Sequence, residues 1–142
     1  MLFIAHREEI LAQAQRTFAR VRPESSSGFF TGREKMSGVD LCFATIQTLS
    51  RDEHLRSFPP DYFDYIVVDE FHHAGADSYR KVLDYFKPRF LLGLTATPYR
   101  TDNQDIFALC DDNVVYEINL KDSINRDLFV FDNIKVIQKS IK

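Results

Sequence analysis

Cysteine is scarce in this chain: its 142 residues hold two, Cys42 and Cys110, far apart and without Cys-x-x-Cys spacing. That excludes a disulfide framework and a cysteine-based zinc site, and it points to a reducing interior such as the cytoplasm. Cys42 stands in an apolar run and reads as a small buried hydrophobe. Long hydrophobic runs are missing too. No stretch approaches the roughly 18–20 apolar residues of a membrane span, so no membrane partner is expected. Met1–Ala5 is too short for a signal-peptide core and carries no basic leader. Nor is positive charge in excess: the net charge is −3, which excludes a wholly basic nucleic-acid clamp. The weakly basic region of Arg16, Arg20, Arg22, Arg33 and Lys35 reads as a solvated face. What is present, 44% hydrophobic and 27% charged residues, is the composition of an ordinary globular domain with a real core.

Short apolar runs alternate with amphipathic stretches, the pattern of βαβ units on a mainly parallel sheet. Leu2–Ala5 is a short strand, and Ile10, Leu11, Ala14, Phe18 and Val21 at helical spacing predict a helix over 7–21. Pro23 and the run Ser25-Ser26-Ser27-Gly28 predict a flexible loop. Leu41–Ile46 is a second strand, with a short helix expected within 47–57. Tyr65–Val68 is a continuous β-rich run, as for a strand buried on both faces, and it ends at once in Asp69-Glu70. Asp77 is the expected N-cap of a helix presenting Tyr79, Val82, Leu83 and Phe86. Phe90–Leu94 is a further buried strand ending in Thr95-Ala96-Thr97-Pro98. Beyond it the pattern gives a helix at 104–110, a strand at Val114–Ile118, and an edge strand or linker at about 128–140.

Ligands of open parallel sheets bind outside the carboxyl ends of the strands. Two polar clusters stand at such ends, Asp69-Glu70-Phe71-His72-His73 and Thr95-Ala96-Thr97-Pro98, and they face one crevice if their strands are neighbours. An Asp-Glu pair there suits nucleotide hydrolysis: one carboxylate holds Mg²⁺ and the next activates water. Alone the pair says little, because many strands end in acidic residues as the chain returns to solvent. Adjacent histidines at a strand-to-loop turn rarely aim both rings at one ion. His72 is therefore expected to relay hydrogen bonds and His73 to pack or cap locally.

The combination is more specific. Val67–Ala74 followed by Leu92–Arg100 resembles motifs II and III of the superfamily 2 helicases. Leu2–Leu11 resembles motif Ia and Phe43–Leu49 motif Ib. Four motifs in order cover about residues 1–102, and the nearest resemblance is to the type III restriction enzyme Res-subunit branch. The resemblance implies an α/β, three-layer RecA-like domain with a mainly parallel sheet, partial over 1–112, with 113–142 leading toward a second motor domain. It implies ATP and Mg²⁺ as cofactors and nucleic acid as partner, with duplex DNA implied by the branch. Asp69 would hold Mg²⁺ through water, Glu70 would be the catalytic base, and His72 would couple the nucleotide site to Thr95, Ala96 and Thr97. His6, Arg7, Thr45 and Gln47 would contact one strand's backbone. Without the resemblance, His6 and Arg7 read as a local helix cap and Thr45 as a strand residue.

One departure matters. None of the five glycines is followed by Lys-Thr or Lys-Ser at the offset of a phosphate-binding loop. The family places that loop ahead of motif Ia and its strand beside the motif III strand, and it places the second RecA-like domain after residue 142. The expectations are that the domain is truncated at its N-terminal side and that the chain alone is inactive. Phe90–Leu94 is then expected to present an unpaired apolar edge. The alternative is a catalytically dead module that binds nucleic acid or a partner helicase.

Overall fold

The computed structural model describes residues 1–95 in full, together with the backbone of two further strands, 114–118 and 134–140. Chain order gives β1 (Leu2–Ala5), α1 (Glu8–Val21), β2 (Ser27–Phe30), β3 (Leu41–Thr45), α2 (Ile46–Leu49) and α3 (Asp52–Leu55). There follow β4 (Tyr65–Val68), a 3-10 turn (Phe71–His73), α4 (Asp77–Tyr85), β5 (Phe90–Thr95), β6 (Val114–Ile118) and β7 (Ile134–Ser140). The strands form one sheet in the order β2-β3-β1-β4-β5-β7-β6. The first five run parallel, while β7 pairs antiparallel with both β5 and β6.

Both faces of the central strands are covered, which is why these runs are continuously apolar rather than alternating. Leu2, Ile4, Cys42, Ala44, Ile66 and Val68 point to one face, where they meet Leu49, Leu55, Tyr79, Val82 and Phe86 from α2, α3, α4 and the residue after it. Phe3, Ala5, Leu41, Phe43 and Val67 point to the other, where Leu11 and Phe18 of α1 cover them. Helices on both faces of a sheet make the three-layer α/β architecture expected from the sequence. Burying each such Leu, Ile, Val or Phe is worth about 1.5–3 kcal/mol before chain entropy is set against it. Cys42 is buried as expected, and that burial pushes its thiol up to about 11.

Several elements differ from the sequence reading. The predicted serine loop is half strand: Ser27–Phe30 pairs with β3. Its polar residues are satisfied by partners distant in sequence. The Asp40 carboxylate accepts from the Ser26 amide (2.9 Å) and hydroxyl (2.7 Å), and Gln15 donates to the Ser27 hydroxyl at 3.1 Å. Those two bonds from Ser26 hold the Asp40 carboxyl below its ordinary range. Tertiary pairing here overrides local loop propensity. The helix expected at 47–57 is two short helices, and the strand before it stops at Thr45. Asp77 is the first residue of α4 rather than its cap; Ala76 holds the cap position, with no side-chain hydrogen bond. The edge of β5 is not open. All six of its residues are in register with β7, from Phe90↔Ser140 to Thr95↔Lys135, so the apolar edge is closed by backbone hydrogen bonding. Ile134–Ser140, within the segment read as an edge strand or linker, thus lies inside the sheet, between β5 and β6. The helix expected at 104–110 lies outside the described residues.

Candidate functional site

β1, β3, β4 and β5 all end on the same side of the sheet, because parallel pairing aligns their carboxyl termini. β4 and β5 are direct neighbours in register, Val68 opposite Gly93. Thr95, the described residue of the second cluster, therefore stands beside the Asp69-Glu70 end of β4.

Asp69 continues β4 by one ladder step, its amide donating to the Ile4 carbonyl at 2.9 Å. That bond fixes its backbone against β1. The half-buried carboxyl is held above its ordinary value, first by loss of solvent and further by the neighbouring Glu70 charge; the Glu70 amide and His6 pull the other way. Glu70 then turns the chain with φ 54° and ψ 46°, the only non-glycine residue among those described with positive φ. A side chain held in this left-handed region costs of order 1–2 kcal/mol. The turn carries the chain into the 3-10 helix and brings the Glu70 carboxylate back over His72.

His72 is the junction of the site. Its Nδ1 lies 3.0 Å from the Thr95 hydroxyl and 3.2 Å from Glu70 Oε2, and its side chain is 7% exposed. One imidazole nitrogen thus touches both clusters, 23 residues apart in sequence. Phe71, between Glu70 and His72, is fully buried and seats the turn on β5, where its ring covers Gly93. His73 is exposed; its ring stands 4.2 Å from that of His72 and 5.9 Å from that of His6. Its predicted role of local packing therefore holds only in part, because it joins a group of three imidazoles.

At the carboxyl ends of β1 and β3, Gln47 donates to the His6 carbonyl at 3.1 Å and Arg7 Nε to His6 Nε2 at 3.2 Å. Thr45, 6% exposed, turns its hydroxyl inward to Thr48 at 2.9 Å. His6, Arg7 and Gln47 are thus gathered at one surface, with Thr45 beneath it fixing the strand-to-helix turn. Ala96 and Thr97 lie outside the described residues.

Two features escaped sequence reasoning. One is Gly93, for which an isolated glycine inside an apolar strand was the available signal of close backbone or ring approach. The other is Tyr79, whose hydroxyl is buried without a hydrogen-bond partner among the described residues and is pushed up to about 12 by burial and by the charges of Asp69 and Glu70. Its place on the apolar face of α4 gave no signal of that buried hydroxyl.

Comparison with known proteins gives the family and the fold. Residues 1–100 match the family model described as type III restriction enzyme, res subunit. The chain is 29% identical over 132 residues to IRC3 of Saccharomyces cerevisiae, named a candidate ATP-dependent helicase, covering 87% of this chain and 19% of that one. It is 30% identical over 140 residues to the endonuclease subunit of the type I restriction enzyme EcoAI of Escherichia coli, covering 87% of this chain and 16% of that one. The chain thus spans about a fifth or less of these two relatives. Among solved structures, the helicase domain of Pyrococcus furiosus Hef superposes with a TM-score of 0.60 at 24% identity, over 79% of this chain and 27% of that one, which shows the fold. With the motifs in order, the fold matched and most of its length covered by the family model, the chain belongs to the type III restriction enzyme Res-subunit branch of the superfamily 2 helicases.

Proposed function

We propose that the chain is part of the first motor domain of an ATP-dependent nucleic-acid translocase, acting on duplex DNA. The observation that carries this reading is the single His72 nitrogen in contact with both Glu70 and Thr95. Asp69 suits Mg²⁺: it is a carboxylate at a strand end whose backbone is pinned to β1, and Mg²⁺ is held by hard oxygen ligands, commonly through water. When bound, Mg²⁺ neutralises phosphate charge. Asp69 would hold it through water, while Glu70 accepts the proton of the attacking water. His72 anchors Glu70 and passes its position to Thr95; Ala96 and Thr97 complete that coupling segment in our reading. The ring of His6, with the side chains of Arg7 and Gln47, would offer donors to one strand's phosphates, the His6 carbonyl holding Gln47 and Thr45 fixing the turn beneath them.

The triphosphate itself lacks a seat, since the sequence has no glycine-rich loop followed by Lys-Thr or Lys-Ser. In this reading most of the nucleotide's binding energy would come from a phosphate-binding loop that these residues do not include. Chain-alone ATP turnover is therefore expected to equal that of a Glu70→Gln control, and turnover clearly above that control would contradict this part. DNA binding should weaken with salt whatever the sequence, and Arg7→Ala should lower the salt slope by about one charge. A sequence-selective, salt-independent interaction would refute the track.

One observation favours a second reading, a module that binds nucleic acid or a partner helicase without turnover. β7 closes the whole edge of β5, where the family's phosphate-loop strand would pair. Protection of β5 amides that persists when a motif I segment is supplied would support that module. The cysteine pattern favours a reducing compartment such as the cytoplasm, and a relative from Schizosaccharomyces pombe is named as mitochondrial.

A further inference from the structure

We propose that Glu70, His72 and His73 form a binding site for a zinc(II) ion, with its fourth position open to water. One ligand atom from each of the three lies within 4.8 Å of the other two. Zinc bonds of about 2.0–2.1 Å in a tetrahedron set neighbouring ligand atoms roughly 3.3 Å apart. The 3.2 Å between His72 Nδ1 and Glu70 Oε2 already has that spacing. His73 closes the remaining gap by side-chain rotation alone, because it is exposed and its ring stands 4.2 Å from that of His72.

Adjacent histidines rarely converge on one ion, and the local backbone supplies the exception. The left-handed Glu70 folds its carboxylate back over a 3-10 turn that carries both rings. A second observation points the same way. His6, whose ring is 5.9 Å from that of His73, has a buried Nδ1 with no hydrogen-bond partner among the described residues. A third imidazole therefore stands beside the group. Two imidazoles and one carboxylate favour zinc over magnesium, which prefers oxygen ligands in an octahedron. Binding stands on these ligands alone. Its consequence, that an ion held by Glu70 and by His72 Nδ1 withdraws Glu70 from the attacking water and replaces the His72–Thr95 contact, rests on the hydrolysis reading.

The test is calorimetric titration of the metal-stripped 142-residue chain with Zn²⁺ in excess Mg²⁺. One equivalent is expected to bind. Glu70→Gln and His73→Asn should each weaken it by at least about 10-fold, while His54→Asn should leave it unchanged. His73 is exposed, so its variant should keep the parent's circular dichroism and unfolding midpoint. Substituted Co²⁺ should give a tetrahedral spectrum without sulfur-to-metal charge transfer. Absence of Zn²⁺ uptake, uptake indifferent to both substitutions, equal competition by Mg²⁺, or a sulfur band from a cysteine site would each overturn the proposal.

Discussion

Gly93 lies directly beneath the ring of Phe71: a Cβ on Gly93 would stand 2.4 Å from Phe71 Cγ and under 3 Å from both Cδ atoms. The missing side chain lets the ring settle onto β5, and the ring in turn holds the short helix that carries His72. Gly93→Ala should therefore lower stability by about 1–3 kcal/mol, the cost of overpacking a core. In a Phe71→Ala background, which lacks all three of those atoms, Gly93→Ala should cost less, since neighbouring substitutions couple. Urea unfolding measures both, and simple additivity of the two substitutions would show that the contact does not set this turn.

The backbone of Glu70 makes a separate prediction. Glycine populates the left-handed region freely, so Glu70→Gly should relieve strain and raise stability by about 1 kcal/mol. The same change deletes the proposed base. A chain made more stable by losing its carboxylate is the expected trade between stability and function. Destabilisation on thermal or urea unfolding would mean that the strain is offset by contacts of the Glu70 side chain.

Asp69 should titrate above its ordinary value of 3.8. Because its folded pKa exceeds its unfolded one, the folded state binds the proton more tightly between the two values. The stabilising contribution is complete at low pH and is lost as the pH rises through that window. Glu70→Gln removes a like charge and should lower the Asp69 midpoint, though burial keeps it above 3.8; His6→Ala should raise it. A carbon-detected NMR titration of the carboxyl reads all three, and a wild-type midpoint at or below 3.8 would contradict the account.

Much of this could be read from residues alone. The runs Leu2–Ala5, Tyr65–Val68 and Phe90–Leu94 are strands as their continuous apolarity predicts, and their polar ends marked the candidate site. Leu2–Ala5 and Ile66–Val68 are buried on both faces, whereas Phe90, Leu92 and Leu94 are half-buried and Tyr65 is exposed. Three things were hidden for physical reasons. Strand β2 follows a serine run whose loop propensity is overridden by pairing with β3 and by Asp40, fourteen residues from Ser26. The pairing of β7 with β5 is a long-range antiparallel contact that no local pattern encodes. The convergence of His72 and His73 on Glu70 depends on one backbone angle at Glu70, which residue type alone disfavours.

The most direct test of the central claim is catalytic. The chain should replace the matching segment of IRC3, and nucleic-acid-stimulated ATP turnover should then be measured for the graft with and without Glu70→Gln. Loss of a general base costs typically 10²–10⁴-fold, so turnover by the graft and a fall in kcat of at least about 100-fold in the variant are predicted. A Glu70→Gln graft that turns over ATP as fast as the unmodified graft would contradict the assignment of Glu70, and with it the reading of the site built around His72.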